Sequence, residues 1–402
     1  MSRARALARV NLAAIERNCA LLNERIGDAA LCAVVKANAY GHGAVQAARA
    51  AQAGGASWLA VAAAREAAEL RAGGIDGRLL VLGAIAGEEL TQALDADSDV
   101  VAWSEAFVAR LAARAAASER PIRVHLKLDV GMGRLGTRDP EALLAVGRAV
   151  LAAPGLELTG AMIHFPSADE DVERTRRELE AFLAFAERLR ELAPEAILHA
   201  ANSPAALCLP ESRLDMVRCG IAVYGLDPWQ RDPAEHGLEP ALELRSYVAA
   251  LKPLEPGQTV GYGGTFTATE RTWIATLPIG YGDGFRRAFS NNGVALVGGR
   301  RAPLVGRVSM DNVCVDVGPD PAGIAVGDEA VLIGAMGEER ISAEELARRI
   351  DTINYEITTA LSARVVWEHH RDGAEVLGQG ARVPSEDPPE ARARGRRGED
   401  RG

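Results

Sequence analysis

A single amine, Lys36, stands between an apolar run and a loop of small residues in Ala33-Val-Val-Lys36-Ala-Asn-Ala-Tyr40-Gly-His-Gly43. Leu31 to Val35 is continuously apolar and β-branched at its end, the pattern of a buried parallel strand, so the lysine emerges where the strand stops. Held there in a partly desolvated pocket, a lysine titrates below its ordinary value of about 10.4 and presents a neutral amine. Such an amine can condense with an aldehyde cofactor, which is how a Schiff-base enzyme uses lysine. A lone lysine in this position more often ends a strand and reaches for water. The aromatic hydroxyl four positions on, at Tyr40, and the small residues between favour the reactive role.

Other polar groups recur at comparable places, and the elements around them say why. Continuous apolar stretches near 31–35, 57–61, 78–82, 99–102, 123–129, 158–163, 197–201 and 214–217 read as strands, separated by helical stretches such as 64–71 and 169–192. Asn11 is placed to cap a first helix with Leu12, Ile15, Cys19, Leu22 and Ile26 on one face. Eight strands alternating with helices predict an α/β fold of the (β/α)8 TIM type, and no GxGxxG turn follows the first strand to favour an open dinucleotide-binding sheet. In such a barrel the loops after the strands share one mouth. Lys36 follows strand one, Lys127 lies near the end of strand five with Arg134 in its loop, and His164 follows strand six. Asn202 and Ser203 follow strand seven, and Arg218 follows strand eight.

After residue 235 the pattern changes to short strands with Gly and Pro turns, predicting a mostly antiparallel β domain. The alternation in Leu242 to Val248, and Val294 to Gly299 with its Gly-Gly turn, read as hairpins. Ser342 and Glu345 suggest a capping box, and a further helix starting near Thr352 carries Tyr355 on its first turn. The expected units are a barrel over 8–235, a β domain over 236–373 with the residues before 8 as a candidate addition to it, and a mostly disordered tail over 374–402. The tail expectation rests on its Pro, Glu and Arg content with few bulky apolar groups.

With 402 residues, 48% hydrophobic and 25% charged, the chain has enough apolar material for two ordinary domains. Its formal net charge of -10 argues against nucleic acid or an anionic membrane as partner, leaving a small molecule. No apolar run has signal-peptide or membrane-span length, so a cytoplasmic protein is expected. Five scattered cysteines without CxxC spacing indicate neither a disulfide framework nor a metal site.

The Lys36 segment resembles the pyridoxal 5'-phosphate (PLP) lysine segment of bacterial alanine racemases. Further matching stretches follow in the family's order. They are His125-Leu-Lys127-Leu-Asp-Val-Gly-Met-Gly133-Arg134-Leu-Gly136, His164-Phe165, Asn202-Ser203, Met216-Val-Arg218-Cys219-Gly220-Ile221, Val260-Gly-Tyr262-Gly-Gly, Gly280-Tyr281-Gly-Asp283-Gly284, Gly306-Arg-Val-Ser-Met310-Asp311 and Tyr355. Each piece is weak alone, and their order over residues 8 to 370 makes the likeness specific.

The resemblance implies interconversion of L- and D-alanine, supplying D-alanine for peptidoglycan, by a homodimer whose active sites are shared between subunits. It implies that Lys36 and Tyr262 are the two bases, the tyrosine coming from the partner and being acidified by His164 and Arg218. The Tyr40, Ser203 and Tyr355 hydroxyls and the Gly220-Ile221 amides would cup the cofactor phosphate, with Asn202 beside them and His164 against the ring. Arg218 would face the ring nitrogen, where a guanidinium cannot accept a proton and so disfavours transamination. Arg134 would hold the substrate carboxylate, ordered by Lys127, whose counterpart is carbamylated in many family members. Met310 and Tyr281 of the partner would narrow the entrance, with Asp311 supporting their loop.

Three positions depart from the family's usual residues: Cys219 for proline, Pro166 after His164-Phe165, and Gly282 for alanine. None is a proposed acid or base. The rival readings are a racemase of broader specificity toward serine and alanine, a non-catalytic PLP-binding barrel protein of cofactor homeostasis, which lacks the second domain, and a fold-related decarboxylase, which Arg218 disfavours.

Overall fold

The computed structural model describes residues 4–116, 120–321 and 323–376. The first strand, β1 (Leu7–Asn11), buries alternate residues, and Ala8 and Val10 are wholly inaccessible. Asn11 then caps helix α1 (Leu12–Ile26) by accepting from the Ala13 amide, and α1 packs Ile15, Cys19, Leu22 and Ile26 inward. Burying each of the larger aliphatic side chains contributes about 1.5–3 kcal/mol.

Eight parallel strands follow: β2 (Ala30–Val34), β3 (Trp58–Val61), β4 (Arg78–Val81), β5 (Asp99–Ala102), β6 (Ile122–Lys127), β7 (Leu156–Met162), β8 (Ile197–His199) and β9 (Met216–Cys219). They pair in sequence order from β2 to β8, and β9 returns beside β2. Backbone bonds from Asp215 to the Leu198 carbonyl (3.1 Å) and from Arg218 to the Ala201 carbonyl (2.9 Å) complete the barrel. The expected TIM-type architecture is present.

The second domain is built on a mixed sheet in the order 300–303, 294–297, 329–336, 242–247, β1, 366–371, 374–375, antiparallel except where β1 runs parallel to 366–371. A three-stranded sheet of 250–254, 272–277 and 313–318 completes it. Residues 294–297 and 300–303 form the expected hairpin, with Gly298 and Gly299 both at positive φ as a tight twisted turn requires.

Several expectations need correction. Residues 8–11 belong with β1 to the second sheet rather than to the barrel, because their alternating burial suits a two-faced sheet. Leu242–Tyr247 is a strand but no hairpin, its partners being β1 and the remote 329–336. Ser342 caps Ala343–Arg349 through the Glu345 amide (3.1 Å), yet the Glu345 carboxylate is drawn to Arg301 and Arg349 instead of closing a box. Ala374–Glu375 pairs with 366–371 and extends the sheet past the expected boundary at 373. The rest of the expected tail, from 377, lies outside the described residues.

The candidate active site at the barrel mouth

Lys36 sits two residues beyond β2 and opens a short left-handed turn, with Ala37, Asn38, Ala39 and Tyr40 all at φ of 52° to 55°. Side chains resist that conformation by roughly 1–2 kcal/mol per residue, so the surroundings must impose it. Glu66 does so from the next unit: its carboxylate accepts from the Ala37 amide (2.7 Å) and from the Ala62 and Ala63 amides (2.8 and 3.0 Å). Asn38 caps the following helix at Ala44 (2.9 Å). Gly41, at φ 82°, closes on the Thr358 carbonyl, where a Cβ would fall at 2.2 Å. This contact brings helix Asn354–Thr359 of the second domain, with Tyr355 on its first turn, onto the barrel mouth.

The mouth encloses a cavity of about 490 Å³, lined by Lys36, Tyr40, Lys127, Arg134, His164, Asn202, Ser203, Arg218, Gly220, Ile221 and Tyr355 among others. It contains four basic side chains, and no Asp or Glu lines it among the described residues. Burial lowers the Lys36 amine, Arg134 lowers it further, and Glu66 opposes them. Lys127, the last residue of β6, is 5% exposed and pushed down to about 7 by burial, then by Arg218 and Arg134, against the pull of Asp129. Asp129 organises the loop that presents Arg134, accepting from the Gly131 and Gly133 amides and from Arg138.

Arg218 lies within β9 rather than beyond it, and is buried. Its Nη1 donates to the His199 carbonyl (2.8 Å) and meets His199 Nδ1 (3.0 Å), while Nη2 donates to the Ile163 and Ala200 carbonyls (2.7 and 3.1 Å). No carboxylate bonds it among the described residues. Burial lowers it to about 10, still a cation at neutral pH. His164 is held well below its ordinary value by burial and by the charges of Arg218, Lys127, Arg134 and Lys36. It is neutral here, so of the two groups expected to acidify Tyr262 only Arg218 carries charge.

Also lining the cavity, Tyr40 packs against Gly220 so closely that a Cβ there would lie 2.3 Å from the Tyr40 hydroxyl. The Tyr40 and Tyr355 rings are 5.9 Å apart, and burial raises both phenols, keeping them protonated donors. Ser203 Oγ accepts from the Gly220 amide (3.0 Å). The helix cap is Asn202, through the Ala205 amide (3.3 Å), so Ser203 is not needed as a cap. Neutral hydroxyls and backbone amides facing one another, with the Gly220 backbone exposed to them, fit a phosphate.

Tyr262, Tyr281 and Met310 are not among the residues around this cavity. They stand on the second domain with side chains 72%, 42% and 52% exposed. Their loops are tied together by the Tyr281 amide to the Ser309 carbonyl (3.0 Å) and the Gly282 amide to the Met310 carbonyl (2.9 Å). Arg364 bonds Asp311 (2.6 Å) and Asp283 (3.2 Å), so Asp311 braces the Met310 loop. A Cβ on Gly282 would fall 2.3 Å from the tip of the Arg364 guanidinium, so alanine here would require that flexible side chain to shift.

Sequence reasoning did not single out Glu66, which no motif marks, or Ala62, Leu82, Gly83 and Thr359, which line the cavity from neighbouring loops. Buried histidines were also undervalued. His42 is wholly inaccessible and lowered to about 4 by burial, and His199 is lowered well below its ordinary value by burial and by Arg218. Unfolded histidine titrates near 6.5, so the stability these neutral rings provide is complete above that pH and is lost as pH falls from about 6.5 toward 4. At about pH 5 the neutral His42 ring costs roughly 2 kcal/mol, with His199 adding in the same direction, and urea unfolding should show a midpoint well below that at neutral pH.

Fold and site together define a two-domain (β/α)8-barrel protein with a cation-lined cavity around a lysine amine. Residues 10–228 match the family described as "Alanine racemase, N-terminal domain" and residues 241–369 "Alanine racemase, C-terminal domain". The alanine racemase of Symbiobacterium thermophilum is 42% identical over 89% of this chain and 95% of its own, and that of Thermobifida fusca 41% identical over 89% and 96%. Among solved structures, alanine racemase from D-cycloserine-producing Streptomyces lavendulae superposes with a TM-score of 0.87 at 39% identity, covering 92% of this chain and 98% of its own. The Bacillus anthracis enzyme with bound L-Ala-P gives 0.86 at 36%, covering 94% and 97%. The chain belongs to the alanine racemase family.

Proposed function

We propose that this protein interconverts L- and D-alanine with pyridoxal 5'-phosphate, as a cytoplasmic homodimer supplying D-alanine for peptidoglycan. The observation that carries the reading is the cavity itself: three further basic side chains, and no acid among the described lining residues, around a lysine whose amine is desolvated. An anionic phosphate at one end and a substrate carboxylate at the other satisfy that charge.

When bound, PLP withdraws electrons from the Cα–H bond of an amino acid and makes its proton removable. Lys36 holds the cofactor and, once released, its amine takes or returns a proton at one face of Cα. Tyr262 of a second copy serves the other face, which accounts for its exposure here. Arg218 would face the ring nitrogen as a donor that offers no proton acceptor, which would favour return of the proton to Cα over transamination. His164 would lie beside the ring as a neutral group. Tyr40, Ser203, Tyr355, Gly220 and Ile221 bind the phosphate next to Asn202, and Arg134 grips the substrate carboxylate with its planar fork. Met310 and Tyr281 of the second copy limit the entrance to a small side chain.

Lys127 has the properties a carbamate needs: an amine lowered to about 7, so that a large neutral fraction exists to react, and cationic neighbours to hold the anion formed. In ¹³C-bicarbonate at neutral pH, a carbamate carbonyl signal should appear and be absent from Lys127→Ala. That variant should turn over about 10–100-fold slower as Arg134 loses its support.

Chiral chromatography of products from a panel of L-amino acids tests the whole reading. Alanine should give its enantiomer fastest, with serine slower, since one small group is worth about 1–3 kcal/mol of discrimination. No inversion of any amino acid by PLP-loaded protein would refute it.

A further inference from the structure

A line of buried polar groups runs through the barrel from Arg218 toward the face opposite the cavity. His199 Nδ1 lies 3.0 Å from Arg218 Nη1, His199 Nε2 lies 2.8 Å from His125 Nδ1, and His125 Nε2 lies 3.0 Å from Asp99 Oδ2. Asp99, the first residue of β5, is gripped by Arg78 and Arg123 at 2.6 Å each. Asp99, His125 and His199 are wholly inaccessible to solvent.

The direction of this line follows from its upper end. A guanidinium only donates, so His199 Nδ1 must accept, and its proton must sit on Nε2. His125 Nδ1 must then accept in turn, leaving Nε2–H to donate to the carboxylate. Both imidazoles are thereby fixed in one tautomer and one orientation.

Such a line is a costly way to fill a barrel interior. Its strand neighbours Val124, Leu126, Ala161 and Leu198 are all buried and aliphatic. Space for it is built in: a Cβ on Gly160 would lie 2.3 Å from His125 Nδ1, and the β6–β7 register shifts between Val124 and His125. Arg218 meanwhile is a buried cation bonded to carbonyls and to His199, with no acid in contact. Asp99 is the anion at the far end of its hydrogen-bonded line.

We propose that Asp99, His125 and His199 are positioning residues for Arg218, a donor relay that holds the guanidinium's orientation toward the cavity. This rests on the reading that Arg218 faces the cofactor ring, and it adds the reason that the arginine stays aimed there.

Histidine-selective ¹⁵N spectra of the protein, with and without PLP, test the relay independently of turnover. Both His125 and His199 should be Nε2-protonated with bare Nδ1 throughout the neutral pH range. His199 protonated at Nδ1, or on both nitrogens, would overturn the proposal. His125→Leu breaks the line, and kcat should fall about 10–100-fold with KM little changed, as for lost outer partners of a tuned site. It should also complete fewer turnovers before its cofactor is converted to the amine form, a change that a loss of packing alone would not produce. His125→Gln, whose amide can donate to Asp99 and accept from His199, should recover most of both. A folded His125→Leu with wild-type kcat and wild-type turnover number before inactivation would refute the relay. The expected tautomers in a protein that racemises nothing would support the relay while removing the racemase reading.

Discussion

Lys36→Ala should lose racemisation by at least about 10³-fold, together with the visible absorbance that PLP acquires on joining the protein. The lesion removes two things at once, the group that holds the cofactor and the base at one face of Cα. Phosphate contacts from Tyr40, Tyr355, Ser203 and the Gly220–Ile221 amides are untouched, so PLP should still bind, without the lysine-linked spectrum. Fold stability should change little, because Lys36 is half-buried at the cavity and its loop is held by Glu66 and Asn38 instead. The comparison that decides is spectrum against unfolding midpoint. An unchanged spectrum in a folded variant would take Lys36 out of the chemistry.

The barrel was legible because parallel strands buried on both faces are unbroken apolar runs, and their positions follow from that alone. It blurred where function enters the strand. β8 was expected to run to 201 and ends at His199, since the Ala200 and Ala201 carbonyls turn to accept from Arg218. β9 was expected over 214–217 and instead runs through Arg218 to Cys219, because a guanidinium inside a strand breaks the apolar pattern that would mark it. The pairing of β1 with 242–247 and 366–371 joins segments hundreds of residues apart, and local alternation cannot say which edge a strand will choose.

Among the site residues, those on the first domain sit where strands end and so could be named from order alone. The cavity gathers them as that rule requires. What order cannot give is protonation. Burial and then the surrounding cations hold His164 well below its ordinary value, and burial with Arg218 and Arg134 brings Lys127 to about 7, consequences of packing and distances across the barrel. The polar line from Arg218 to Asp99 is likewise invisible locally, since each member looks like an isolated polar residue within an apolar strand.

Tyr262→Phe isolates the second base. L- and D-alanine have equal free energy, so kcat/KM in the two directions must remain equal whatever the mutation does, and the lesion will not show in their ratio. It should show in hydrogen exchange instead. In deuterated water the variant should exchange the Cα proton of D-alanine through Lys36 with retention, while L-alanine exchanges about 10²–10⁴-fold more slowly. Equal exchange of both isomers would refute the two-base assignment.

The same variant tests where the tyrosine comes from. In an isologous dimer each site takes Lys36 from one copy and Tyr262 from the other. Mixing equal amounts of Lys36→Ala and Tyr262→Phe, unfolded and refolded together, makes half of the dimers hybrid. Each hybrid holds one doubly damaged site and one intact site, so about a quarter of wild-type activity should return from two nearly inactive proteins. If Tyr262 instead reached the cavity of its own chain, every site would carry one lesion and nothing would return. The 72% exposure of Tyr262, with Met310 and Tyr281 also exposed at 52% and 42%, favours the first outcome, since phenols and a thioether left in water form an apolar face that a second barrel mouth would cover.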